Sequence, residues 1–376
     1  MKNPTRAGCL RVSRAWQPAA FIGLTAGAFL ALAASAETFT WSAATSGPAV
    51  DGAGAWDTAA ANWVGAGDAH TAWNNAGGDT AAFGAGGTAG TVTVHSAGIT
   101  VGGLTFSAAL TSNTYTLAGG PLTLTGAPVF AADTNATLSA LIAGEAGFVK
   151  TGAGSLWFSN PNNTFTGDVV VAGGTVVCNA MNQGGTNSAL GRANLPRTIA
   201  VGAGATLLFN AHDTFGNDSK TPAVTLSVAS GGTIRNANTF TTFGVLNLDG
   251  GTVLASGGAI SSFQAYSLRG AVTSGGNSAI ATTGGSYNGV HLYDTLMAVT
   301  GGTLTVSAPL INKAGGSVSK MTKTGEGRLV LAADNSFSGG LTVSNGEVRV
   351  GSGGSAGSPG TGPICLASGD SALVFN

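Results

Sequence analysis

The sequence predicts an all-β chain folded as a parallel β-helix, a solenoid of stacked coils. Three observations predict it. Apolar residues alternate over short runs: Leu156 and Phe158, Val169 and Val171, Val176 and Cys178, then Leu329 and Leu331, Leu341 and Val343, Val348 and Val350. Strict alternation bounded by Gly and Asn marks half-buried strands. The chain also repeats itself, since VKTGAGSLWFSNPNNTFTGDVVVAGGTVV at 149–177 returns as TKTGEGRLVLAADNSFSGGLTVSNGEVRV at 322–350. Each copy is expected to form one strand-turn-strand layer. Finally, charged residues are 8% of the chain and glycines number 62, where a globular protein carries about 25% charge and about 7% Gly. A tube built on continuous strand ladders admits few charges inside, and its turns need glycine.

Taken in order, the chain begins with a segment outside this pattern. Lys2, Arg6, Arg11 and Arg14 precede the apolar run AAFIGLTAGAFLALA, which closes on Ala34-Ser35-Ala36. A basic start, a short apolar run and an A-x-A ending describe a cleavable signal peptide over 1–36. A membrane-spanning helix needs about 20 apolar residues, more than the run supplies. Cys9 precedes the run, which argues against lipoprotein attachment there. Removing residues 1–36 leaves 15 − 4 = 11 Lys+Arg against 16 Asp+Glu, a net charge of −5. With no basic stripe, nucleic-acid binding has no electrostatic footprint.

Residues 37–148 read as a cap and first coils. Trp41, Trp56, Trp63 and Trp73 crowd into this region. Solenoid ends need covering, and buried aromatics supply the area, so a cap is the favoured reading. Exposed on the surface instead, the same four indoles would be candidate glycan-binding residues.

Residues 149–376 read as the β-helix proper, with repeats at 149–210 and 322–376. A gapless match of 189–210 to 355–376 pairs Gly191 with Gly357, Ile199 with Cys365, Leu207 with Leu373 and Phe209 with Phe375. Cys365 is therefore expected at an apolar inward position, as is Cys178, the counterpart of Val350. About seven coils would separate the two thiols, roughly 35 Å, far beyond disulfide reach. Asn163 and Asn335 are expected at equivalent turns, where Asn tolerates left-handed backbone and amides can stack in a ladder. At ~25 residues per coil and ~4.8 Å per step, about 13 coils would rise roughly 60 Å.

The pattern KTGxGxLxx…NxFxGxxxVxxGxVxV, on Lys150-Thr151-Gly152, Asn163, Phe165, Gly167 and Gly174, resembles the autotransporter-associated β-strand repeat. It recurs on Lys323-Thr324-Gly325, Asn335, Phe337, Gly339 and Gly346. The resemblance implies a right-handed parallel β-helix in an exported passenger segment at the bacterial cell surface, often followed by an outer-membrane barrel. The chain closes on Leu373-Val374-Phe375-Asn376 in mid-repeat and carries no barrel, which points to a fragment of a longer reading frame or to an anchor lost from it. The partners implied are the secretion machinery, through the signal peptide, and surface glycans or neighbouring cells. Membrane attachment is expected only through the missing anchor. The expected function is that of a non-catalytic stalk or adhesin.

The rival reading is a pectin lyase-like enzyme, because several polysaccharide-cutting enzymes share this fold. Such chemistry needs clustered Asp, Arg, Lys or His to bind Ca²⁺ or move protons. The candidates are His212, Asp213 and Asp218, and separately His291, Tyr293 and Asp294. Both groups fall in turns or at strand edges, where polar residues are ordinarily solvated, so no catalytic, cofactor-binding or metal residue is assigned. The calcium-binding G-G-x-G-x-D nonapeptide and H-E-x-x-H are absent from the sequence. A groove with three or more converging charged residues would favour the enzyme.

Overall fold

A 14-stranded parallel sheet carries the register of the molecule. In this computed structural model, which describes residues 36–107, 110–112, 114–258 and 262–376, one inward column reads Tyr115, Ala136, Leu156, Val176, Leu207, Ile234, Val253 and Ile280, each the partner of the next. A 17-stranded sheet faces it with its own column: Phe148, Val169, Ile199, Leu226, Leu246, Val272, Met297, Lys323, Val343 and Leu366. Residues between these positions point outward, as the period-2 pattern requires. Fourteen strands at ~4.8 Å rise about 62 Å, so the solenoid expected from the sequence is what forms. Coils are unequal: Ile234 pairs with Val253, 19 residues on, and Val176 with Leu207, 31 on. The surplus leaves the tube as loops. A third sheet, Thr241–Phe243, Tyr266–Leu268, Val290–Leu292 and Leu310–Ile311, closes the wall beneath some of them. The signal-peptide segment lies outside the described residues.

The repeat motif has a physical explanation that its low charge concealed. Lys150 and Lys323 point into the tube and are wholly buried. Lys150 Nζ donates to the carbonyls of Thr151 (2.7 Å), Gly152 (2.8 Å) and, on the next coil, Gly173 (3.0 Å). Lys323 Nζ repeats this with Gly325 (2.7 Å) and Asn345 (3.0 Å). Each ammonium thus clamps one coil to the next. Gly152 and Gly325 turn with φ of 78° and 80°, a region that glycine enters freely, and this turn presents their carbonyls to the lysine. Gly174 and Gly346 stack directly above, where an added Cβ would lie within 2.5 Å of the Gly152 and Gly325 carbonyl oxygens. KTG followed by a glycine about 22 residues later is therefore an inter-coil joint.

Burial pushes both lysines down from 10.5 to about 8. Below pH 8 the folded and unfolded chains are both protonated there, and the desolvation penalty is fully present. Above pH 8 the folded lysines release their protons while the unfolded ones keep theirs, so stability rises with pH. Two groups work the other way: Cys178, whose thiol burial pushes well up, from about pH 9, and Tyr293, raised to about 12 by burial and by Asp218, from about pH 10, because the unfolded thiol and phenol ionise first. Urea midpoints are therefore expected to climb between pH 8 and 10, by at most about 2–3 kcal/mol per lysine. Lys150→Met should remove about half of the lysines' share of that climb. A flat profile would refute the buried-ammonium account.

Three expectations change. The stretch 149–177 spans two layers instead of one, because Phe148 stacks on Val169 and Ser155 on Thr175. The gapless match slips in the last coil: Ile364, not Cys365, sits above Leu341, as Ile199 sits above Val169. Gly360 rather than Gly357 takes the place of Gly191, each lying against the ring and carbonyl of the repeat phenylalanine, Phe337 or Phe165. Cys365 accordingly pairs with the outward Thr342, while Cys178 stays buried. Eight ladder steps separate the two cysteines, about 38 Å, too far for a bridge. Asn163 and Asn335 are not left-handed. They are buried cross-links instead: Asn163 accepts from Ile142 N (2.7 Å) on one coil and donates to Ala189 O (2.7 Å) on the next. The side-chain ladder forms elsewhere, running from Asn210 through Asn179 to Ser159.

Candidate functional site

The four tryptophans form a plug. Trp41, Trp56 and Trp63 are fully buried and Trp73 nearly so. Trp63 meets Trp56 and Trp73 at ring-centroid distances of 4.7 Å and Trp41 at 5.4 Å, with Phe83 beneath at 5.7 Å. Antiparallel strands Thr38–Trp41, Trp63–Val64 and His70–Thr71 fold this plug over the first parallel coils. A sugar stacks on an exposed ring face, and these four rings offer none. Glycan binding by the indoles is therefore corrected to capping.

The loops that leave the long coils build a different site. Residues Gln183, Asp213, Asn217, Asp218, Ser219, Phe240, Phe263, Arg269, Tyr293 and Lys313 line a groove of about 630 Å³ outside the third sheet. His212, Phe240 and Phe263, one from each of three successive coils, stack at 4.4 and 4.7 Å with 27° between planes. The His212 ring is fixed by accepting from Phe240 N at 3.3 Å, and burial lowers its pKa. In the same groove as Phe240 and Phe263, the Tyr293 hydroxyl donates to Asp218 Oδ2 while the Arg269 guanidinium lies 3.9 Å over the Tyr293 ring. Asp213 lies at the floor in left-handed backbone, φ 50°, where its carbonyl accepts from Gly216 N (3.1 Å). Gln183 Nε2 donates to Asp213 Oδ2 at 3.3 Å. Burial, with a contribution from Asp218, raises Asp213 to about 6.

The fold groups these residues differently from their order in the sequence. Asp213, Asp218 and Tyr293 come together, joined by Arg269 and Lys313, which the sequence did not single out. His291 does not join them. It is buried on the third sheet, with Nδ1 on the Asn312 carbonyl. Asp294 is taken up by Lys320 N at 3.1 Å. The expectation that these polar residues are merely solvated fails for Asp213 and His291, which are 2% and 4% exposed. Loops from coils 30 to 75 residues apart make the groove, as Gln183–Asp213 and Asp218–Tyr293 show. Among the described residues, no three His, Cys, Asp or Glu side chains converge as a metal site.

The two lysine-clamped layers identify the architecture. Residues 148–177 and 321–350 match the family model of the passenger-associated-transport-repeat. The chain carries the autotransporter-associated β-strand repeat. A relative, the "Adhesin BmaC autotransporter" of Brucella suis biovar 1 (strain 1330), is 42% identical over 159 residues, 41% of this chain. The chain spans about 4% of that relative's length. No solved structure matches.

Proposed function

We propose that this repeat protein is a stretch of an exported bacterial passenger, non-catalytic, that acts at the cell surface as a stalk with adhesive faces. The similarity to an autotransporter adhesin supports this reading. The architecture gives it a physical basis, since a tube held by inter-coil lysine clamps and amide cross-links lengthens by adding coils. Export would run through the signal peptide ending near Ala36 and the secretion machinery. The test is to display the full chain on a non-adherent bacterium and count bacteria attached to host or neighbouring cells. Severalfold higher attachment than an empty display control is expected. Equal attachment sinks the adhesin role.

The groove favours a second reading, a polysaccharide-active enzyme, because Asp213, Asp218, Arg269 and Lys313 are four charged groups lining one site. Against it, Asp218 Oδ2 accepts from the Tyr293 hydroxyl and the Arg269 guanidinium lies 3.9 Å over the same ring, so each is already partly engaged. Incubation with neutral and uronate polysaccharides is expected to release no reducing ends or unsaturated products. Release that disappears in Asp213→Asn would establish the enzyme.

A further inference from the structure

We propose that Asn345-Gly346, in the second lysine joint, is a self-modification site where the Asn345 side-chain amide becomes a carboxylate, with Lys323 as the activating cation. The nucleophile is the Gly346 backbone nitrogen, which donates to Asn345 Oδ1 at 2.8 Å. Oδ1 is bonded to Cγ, so the nitrogen is no more than about 4 Å from the carbon it attacks. A near-attack separation is about 3–3.5 Å. Glycine leaves the nitrogen unhindered, and the joint demands glycine here: φ is 70°, and an added Cβ would stand 2.5 Å from the Gly325 carbonyl oxygen. The same N–H is shared with the Asp370 carbonyl on the next coil at 3.1 Å, in an exposed turn that holds the nitrogen until it opens.

Lys323 supplies the activation. An amide nitrogen attacks only after losing its proton, and the charge that results is shared with the oxygen of the same peptide, here Asn345 O. Lys323 Nζ donates to that oxygen at 3.0 Å, from a side chain that is wholly buried. A cation aimed at the atom where negative charge develops, away from water, is what stabilises an oxyanion. The Gly325 carbonyl accepts from the same ammonium at 2.7 Å and keeps it aimed. The charged neighbours are Glu326 on the preceding coil, Glu347 next along the strand, which pairs with Arg328 at 2.9 Å, and Asp370 on the following coil. Lys323 is the amine in this set. Burial lowers it to about 8, so it changes charge as pH rises through that value.

The atoms balance with water as the only co-reactant. Gly346 N gives its proton to solvent and bonds to Cγ. The Cγ–Nδ2 bond breaks, and the nitrogen leaves as ammonia after taking a proton from water. Water then opens the cyclic imide at either ring C–N bond, giving aspartate at 345 or its isomer linked through Cγ. Two comparisons within the molecule single out this position. Asn-Gly occurs twice in the sequence, and at Asn288-Gly289 the glycine N–H is turned to Gln264 Oε1 (3.1 Å) while Asn288 Nδ2 donates to Thr282 Oγ1 (2.8 Å). In the first joint the corresponding lysine-bound carbonyl belongs to Gly173, which has no side-chain amide to lose. The reaction therefore puts a negative charge on the residue that holds the second lysine and leaves the first joint unchanged. It is independent of the adhesin reading.

The experiment incubates the purified full chain, folded and in urea, and follows both asparagines by peptide mass spectrometry. In urea the two Asn-Gly sites should convert at similar rates. In the folded chain Asn345 is expected to outpace Asn288 by at least about tenfold, with aspartate and isoaspartate both appearing at 345. A pH series separates activation by Lys323 from proximity alone. In urea the rate at Asn345 should rise with hydroxide throughout. In the folded chain the rise should flatten above pH 8, where the ammonium is lost, while Asn288 shows no such break. No conversion at Asn345, conversion no faster than at Asn288 in the folded chain, or an unbroken rise with pH at folded Asn345 would each overturn the proposal.

Discussion

Trp63→Ala is expected to destabilise the chain by about 3–5 kcal/mol, the cost of emptying a large aromatic site in a packed interior. Trp63 sits at the centre of the plug, touching Trp41, Trp56, Trp73 and Phe83 within 5.7 Å. Its neighbours are rigid rings held from several sides, so the hole cannot close by a small shift. Trp41 and Trp73 are tethered by hydrogen bonds from Nε1 to the Gly52 and Thr100 carbonyls, both 3.0 Å. In a solenoid each coil contacts only its neighbours, so the loss should begin at one end. Hydrogen exchange is expected to show residues 38–106 losing protection first, with 148–178 still protected. Val318→Ala, at a side chain 62% exposed, is the control and should change stability by less than about 0.5 kcal/mol. Uniform loss of protection along the chain would contradict the capping role.

How far the sequence reveals this molecule depends on what encodes each feature. The inward columns were legible because alternation has one physical cause, a pleated strand with one face buried, and Leu156, Phe158, Val169, Val171 and Val176 are all buried. The cap was legible for a related reason, since indoles clustered near the head of a solenoid meet an end that needs covering. The inward lysines were not. Charge is ordinarily a sign of solvent, and only the backbone turn at Gly152 shows that carbonyls replace water around Nζ. The slip in the last coil escaped because the connecting turns have no periodicity, so one residue more between strands leaves both strand patterns intact. The groove was half legible: His212, Asp213 and Asp218 stood out, yet nothing local says that Arg269, 51 positions beyond Asp218, shares the ring of Tyr293 with it. Convergence of loops is set by the difference in coil lengths, which no single segment displays.

Gly152→Val should be among the most damaging single substitutions outside the cap, at about 3–5 kcal/mol when its two faults are combined. The φ of 78° is one fault, since a β-branched side chain is strongly disfavoured in left-handed backbone. The other is steric: a Cβ would stand 2.5 Å from the Ala132 carbonyl oxygen on the coil below. Relief requires the turn to move, and the turn carries the carbonyl that accepts from Lys150 Nζ at 2.8 Å. The clamp to Gly173 on the following coil would loosen with it. Gly325→Val repeats the experiment in the second joint, with φ 80° and a Cβ 2.3 Å from the Val299 carbonyl oxygen. Gly369→Ala meets no atom within 4 Å and has no left-handed backbone, so it should be silent. The decisive measurement is the pH climb of stability between 8 and 10 in the Gly152 variant. If the glycine positions the lysine, that climb should shrink by about as much as in Lys150→Met. A variant that is destabilised but keeps the full climb would show that the glycine serves the turn alone, and the joint would then be two independent features instead of one.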